Sequence, residues 1–152
     1  MDLENQRIAQ SYGDQKYIYH VDGRLPRETS WVWVFGSNLA GIHGAGAAKV
    51  ARDLYGRKYG VQTAYGPYIS GDLQESYAIP TKNPDFEVLT IDEIMPFVET
   101  FKKYAYDNPG KLFFVTRVGC GFAGNADSEI APLFIDSPLN CNFPYNWKEF
   151  LE

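Results

Sequence analysis

The chain has 152 residues, 45% hydrophobic and 22% charged, which suits one compact domain. A formal net charge of −5 and a pI near 5.0 argue against an extended nucleic-acid surface, which needs clustered lysine and arginine to displace counterions. Two cysteines without CxxC spacing and two histidines without HExxH argue against a disulfide scaffold, a zinc ribbon or a transition-metal site, and no cofactor is called for.

Residues 1–15 are polar and lack a period, so a short helix or loose arm is expected there. Met1 to Gln6 carries neither the basic nor the apolar region of a signal peptide, and no apolar run reaches membrane-spanning length, so the expectation is a soluble, cytoplasmic protein. Lys16 to Val21 reads as a strand, with Asp22-Gly23 as its turn signal. Pro26 to Ser30 connects it to Trp31-Val32-Trp33-Val34-Phe35, whose unbroken apolar run predicts a strand buried on both faces.

A glycine-studded loop, Gly36 to Gly46, follows that strand and leads into a helix. Ala47, Val50, Ala51 and Leu54 form its apolar face and Gly56 its C-cap. Gly41, Gly44 and Gly46 let the backbone come close to a ligand, and the first N–H groups of the helix have no intrahelical acceptor. An anion, phosphate above all, is stabilised at such a terminus.

Turn signals at Gly66-Pro67 and Ser70-Gly71-Asp72 predict a short extended excursion ahead of the strand Ser76 to Pro80, which runs into Thr81-Lys82. Thr90 and Glu93 form a capping box for a helix containing Pro96 and ending at Asn108-Pro109-Gly110. Leu112 to Thr116 is a second buried strand. It enters a second glycine loop, Gly119 to Asn125, with Asp127 expected to cap a helix over 128–134. The aromatic tail, 137–152, is expected to pack back on the domain.

The device of strand, glycine loop and helix thus occurs twice, and two such loops on adjacent parallel strands would meet at the carboxyl edge of a sheet. The first loop is not a Walker A motif, because Ala47 and Ala48 stand where Lys and Ser or Thr are required, and its glycine order, Gly41-x-x-Gly44-x-Gly46, is a poor match to G-x-G-x-x-G. With eleven Tyr and ten Phe, ring packing is the first expectation and stacking on a planar ligand the second.

Three blocks of the sequence resemble the macro domain, the ADP-ribose-binding α/β fold. They are Asn38-x-x-Gly41-x-His43-Gly44-x-Gly46-x-Ala48, Tyr77-Ala78-Ile79-Pro80-Thr81-Lys82, and Val115-Thr116-Arg117-Val118-Gly119-Cys120-Gly121-Phe122. The second and third are most similar to the branch that removes terminal ADP-ribose from acidic side chains. The first is in the style of small phage and bacterial proteins.

The resemblance implies a single domain over 1–152, with a mixed twisted sheet flanked by helices on both faces. It also implies that Gly41, Gly44, Ala45 and Gly46 line a pyrophosphate from one side, and Gly119, Cys120, Gly121 and Phe122 from the other, with His43 and Arg117 counted among the ligand-binding residues. Asn38 would bind the distal ribose. Lys82 would be the catalytic amine, with Arg117 as a cationic neighbour. Asp127 is the nearest carboxylate that could assist, because Ala123 stands where that branch has its aspartate. The aspartate that reads adenine in macro domains would fall near Trp31.

Read without the resemblance, Lys82 is a solvated lysine at a strand end, His43 a structural loop residue, Cys120 a buried small thiol and Asp127 an N-cap. The expected ligand is ADP-ribose or an NAD-derived nucleotide, free or as an ADP-ribosylated protein, with no nucleic-acid or membrane partner. Hydrolysis of an ADP-ribosyl ester, recognition without turnover, and an interaction protein with a vestigial pocket are the three readings left open.

Overall fold

A computed structural model describes residues 15–26, 28, 30–121 and 123–152; the arm expected over 1–15 lies, except for Gln15, outside the described residues, as does Phe122. The strands are β1 (Ile18–His20), β2 (Val32–Asn38), β3 (Gly66–Ile69), β4 (Glu75–Lys82), β5 (Phe113–Val115) and β6 (Cys141–Pro144). The helices are α1 (Gly46–Tyr55), α2 (Ile91–Asp107), α3 (Asp127–Ile130) and α4 (Lys148–Leu151). The strands form one sheet in the order β1-β6-β5-β2-β4-β3, parallel throughout except for the antiparallel pair β3 and β4. This is an α/β fold built on a mixed sheet flanked by helices, as the sequence predicts.

Strand periodicity divides the core into two layers. Val32, Val34, Tyr77, Ile79, Phe113 and Val115 face one side, where Ile94, Val98, Phe101 and Ala105 of α2 pack with Phe134, Trp147 and Leu151. Trp31, Trp33, Phe35, Ala78 and Phe114 face the other, against Ala48, Ala51 and Tyr55 of α1. Small residues on α1 let it lie close to the sheet over β2 and β4. The capping box forms at Thr90, where the hydroxyl accepts from Glu93 N at 3.2 Å and Glu93 Oε1 accepts from Thr90 N at 3.0 Å. Pro96 is accommodated without ending α2.

Two elements differ from expectation. The tail does more than pack back: Cys141 to Pro144, all buried, become an interior strand between β1 and β5. The helix expected over 128–134 is one turn, Asp127–Ile130, continuing as a 3₁₀ turn over Ala131–Phe134, and Ala126 rather than Asp127 is its N-cap. Asp127 cannot cap because Arg117 and Trp147 hold its carboxylate.

Arg57, 1% exposed, ties the C-terminus of α1 to β3 and β4. Its Nε and Nη2 donate to Thr63 O at 3.0 and 2.7 Å, Nη1 to Ser76 O at 3.1 Å, and Nη2 to Gly66 O at 2.9 Å. Burial lowers its pKa to about 10, so it remains a cation at neutral pH. Arg57→Met leaves these buried carbonyls short of donors and is expected to cost about 3 kcal/mol by urea denaturation.

Candidate functional site

The parallel strands β1, β5, β2 and β4 all present their carboxyl ends on one edge, and β2 and β5 are direct neighbours, so the two glycine loops meet there. A Cβ on Gly36 would stand 3.1 Å from Gly119 N, which shows how closely β2 and the second loop approach. A cleft of about 640 Å³ opens beside them. Gly44, Ala45, Gly46 and Ala48 line it from the first loop and α1, and Gly119, Gly121 and Ala123 from the second loop. Its wall is formed by His20, Trp33 and Phe114, stacked ring on ring: His20 to Phe114 at 3.8 Å and Phe114 to Trp33 at 5.6 Å.

The N–H groups of Gly44, Ala45, Gly46, Ala47 and Ala48 donate to no described residue, and Ala45 as N-cap offers no side-chain acceptor. Gly119 and Gly121 N–H are likewise without a described acceptor. Others in the second loop are used internally: Cys120 N donates to Arg117 O at 3.0 Å, Gly124 N to Gly121 O at 3.1 Å and Asn125 N to Gly119 O at 3.0 Å.

Asn38, Gly44, Ala45, Gly46, Lys82, Arg117, Gly119 and Gly121 border the cleft. The other predicted site residues with described placement do not. Gly41 is packed on the 57–63 segment, its O accepting from Gly60 N at 2.9 Å. His43 is fully buried, with Nε2 3.1 Å from Thr63 Oγ1 and its ring against Phe35. Cys120 packs toward the core under the sheet, and its pKa is pushed up to about 12 by burial and then by the Asp127 charge, so at neutral pH it is an inert thiol.

Asp127 is a positioning residue for Arg117. Its Oδ1 accepts from Arg117 Nε at 2.9 Å and from Trp147 Nε1 at 2.8 Å, and its Oδ2 accepts from Arg117 Nη2 at 2.9 Å. Burial works against its ionisation, but the hydrogen bonds from Arg117 and Trp147 outweigh that and hold the carboxyl below its ordinary range. A bidentate pair of this kind fixes the guanidinium plane. The remaining Arg117 Nη1 donates to Asp22 Oδ2 at 3.3 Å.

The side-chain amide of Asn38 braces its own loop. Nδ2 donates to Ile42 O at 2.7 Å, and Oδ1 accepts from Ile42 N at 3.1 Å. Lys82, its register partner across β2 and β4, makes no hydrogen bond or ion pair through its side chain with a described residue. The cation at Arg117 is neutralised by Asp127 and Asp22.

Sequence reasoning missed the β1–β2 loop. Asp22, Arg24 and Leu25 line the cleft, and Trp31 is buried away from it. The signal was the Asp22-Gly23 turn directly after a strand, which becomes a site feature once β1 is known to run parallel to its neighbours. Arg24, Lys82 and Arg117 line the cleft together with one lining carboxylate, Asp22. Among the described residues no group of His, Cys, Asp and Glu could hold a metal, and no helix is long and apolar enough to cross a membrane. Comparison with family models, with curated proteins and with solved structures gave no match to this chain.

Proposed function

We propose that this protein binds ADP-ribose or a closely related pyrophosphate nucleotide, in the manner of a macro domain, and recognises or sequesters it without turnover. The observation that carries this reading is the row of N–H groups at Gly44 to Ala48, together with those of Gly119 and Gly121, that have no acceptor among the described residues and belong to loops bordering one cleft. Such donors need an acceptor-rich anion with oxygens on both sides, which a diphosphate supplies and a carboxylate does not. Lys82 adds positive charge, Arg117 a guanidinium held in plane by Asp127, and the ringed wall of His20, Phe114 and Trp33 offers apolar surface for the nucleoside.

Recognition without turnover is favoured because, among the described residues, the carboxylates at the cleft are already engaged: Asp127 by Arg117 and Trp147, and Asp22 by Arg117. Hydrolysis at the distal ribose is the second reading, and Lys82, without an ion-pair partner among the described residues, favours it, since covalent attack needs an amine not held in an ion pair.

Calorimetric titration with ADP-ribose, AMP, NAD and inorganic phosphate tests the proposal. Binding of ADP-ribose tighter than AMP is expected, and no heat with any of the four rejects it in favour of an interaction protein. Release of ADP-ribose from a modified glutamate by the wild type but not by Lys82→Ala would establish the hydrolase instead. Asp127→Asn, which loosens Arg117, is expected to weaken ADP-ribose binding about tenfold. Arg117→Ala should show the same loss, and the double variant no more than either alone.

A further inference from the structure

The apolar side chains at the cleft mouth remain unexplained by a diphosphate. Phe86 is 48% exposed and Ile42 46% exposed, and both border the cleft. They rise from two loops that spring from the paired residues Asn38 and Lys82. Phe86 has φ +63°, a left-handed conformation that a bulky residue adopts only when its surroundings impose it.

Those surroundings are a tight turn closed by Asn83. Asn83 N donates to Glu87 O at 2.8 Å and Phe86 N to Asn83 O at 3.0 Å. Asn83 Oδ1 accepts from Asp85 N at 2.9 Å and Glu87 N at 3.0 Å, and Nδ2 donates to Glu87 Oε1 at 3.1 Å. The turn therefore holds an aromatic ring at the mouth of the cleft on a rigid backbone, where little ordering is left to be done when a ligand stacks on it.

Strand order puts this ring at the far end of the site. The β1 end carries His20, Asp22 and Leu25; the diphosphate donors rise from β5 and β2 in the middle; Lys82 and Phe86 follow β4. Four strand-to-strand steps separate β1 from β4, roughly 19 Å at the usual spacing. A ligand that meets all three stations has a planar group at each end of a diphosphate. ADP-ribose has one at a single end.

We infer that the site takes a dinucleotide diphosphate whose second terminus carries an uncharged planar ring, stacked on Phe86 beside Ile42. The ring is uncharged because Lys82, which has no ion-pair partner among the described residues, stands at the same end and repels a cation. This inference rests on the pyrophosphate-nucleotide reading and names its ligand class.

Titrations of the full chain with NADH, NAD⁺ and ADP-ribose test it, with ligand fluorescence as a second readout for NADH. The wild type should bind NADH roughly tenfold tighter than ADP-ribose, the size of one base-on-aromatic stack, with NAD⁺ weaker than NADH. Phe86→Ala should bring NADH down to the ADP-ribose affinity while leaving ADP-ribose within twofold, and Phe86→Tyr should restore the difference. Equal affinity for NADH and ADP-ribose in the wild type, or equal loss for both in Phe86→Ala, overturns the second stacking station while the nucleotide reading stands. NAD⁺ binding as tightly as NADH overturns the uncharged ring. Binding of none of the three overturns both readings together.

Discussion

Gly41→Ala is expected to destabilise the protein by about 4 kcal/mol, which for a domain of this size lowers Tm by roughly 10 °C. A Cβ at this position would stand 1.8 Å from Gly60 O and 2.3 Å from Gly60 C, and the clash is with backbone that itself docks onto Gly41 through the Gly60 N–H. No side-chain rotation relieves it. The φ of +71° adds the strain of a left-handed alanine. Because Asn38 and Gly41 together set the start of the loop that delivers Gly44 to Ala48, nucleotide binding should be lost with it. Thermal unfolding followed by circular dichroism checks the first part, and a shift of less than about 3 °C would show that the 57–63 segment yields at little cost.

The second large effect is acid destabilisation by two buried histidines. Both titrate at about 4, below the ordinary 6.5: His20 through burial, against the opposing hydrogen bond with Asn142, and His43 through burial and then the Arg57 charge. A depressed histidine pKa means that the unfolded chain binds the proton first. The stability is therefore complete above pH 6.5 and is lost as pH falls from there toward 4. Each histidine contributes about 3 kcal/mol, so the two together are comparable with the whole stability of a typical domain. Urea denaturation between pH 7 and 4.5 should show falling stability with a slope approaching two protons, and His20→Gln should reduce that slope by one. Asp127 and Glu93, both held below their ordinary values, lose their contributions only at lower pH.

The consequence for the site is direct. His20 lines the cleft and stacks on Phe114, and with its pKa lowered to about 4 by burial it is a neutral ring at working pH that adds no charge to the pocket. The wall is aromatic in character, and under the proposed reading the grip on an anion falls to the loop amides and to Lys82 at the end of β4.

Several parts of this arrangement were legible in the chain itself. Continuous apolar runs at Trp31 to Phe35 and Leu112 to Thr116 identify strands buried on both faces, because only a strand covered on two sides tolerates large apolar residues at successive positions. The capping box at Thr90 and the left-handed Gly56 are local hydrogen-bonding and steric requirements, so they appear in the sequence as they appear in the fold. The two glycine loops were legible for the same reason.

Other parts were not, because they depend on partners far away along the chain. Cys141-Asn142-Phe143-Pro144 is too short and mixed to announce itself, and it becomes an interior strand because β1 and β5 leave a space there. Asp127 and Cys120 look chemically able in one dimension. In three, Arg117 and Trp147 consume the carboxylate, and burial disarms the thiol. Gly41 and His43 sit inside the motif and point out of the cleft, one to support a neighbouring segment and the other to fill the core.

What the amino-acid order determined alone is local: which segments extend, which coil into helices, where the backbone must turn left-handed, and that two strands run into glycine loops. What the tertiary structure decided is convergence. Parallel β1, β5, β2 and β4 bring the residues at or beyond the ends of all four strands to one edge, so that Asp22, Arg117, Gly44 and Lys82, the outermost two 95 positions apart in the chain, border a single cleft. The physical reason is that hydrophobic burial chooses strand order through contacts remote in sequence, and strand order alone sets which side chains share solvent.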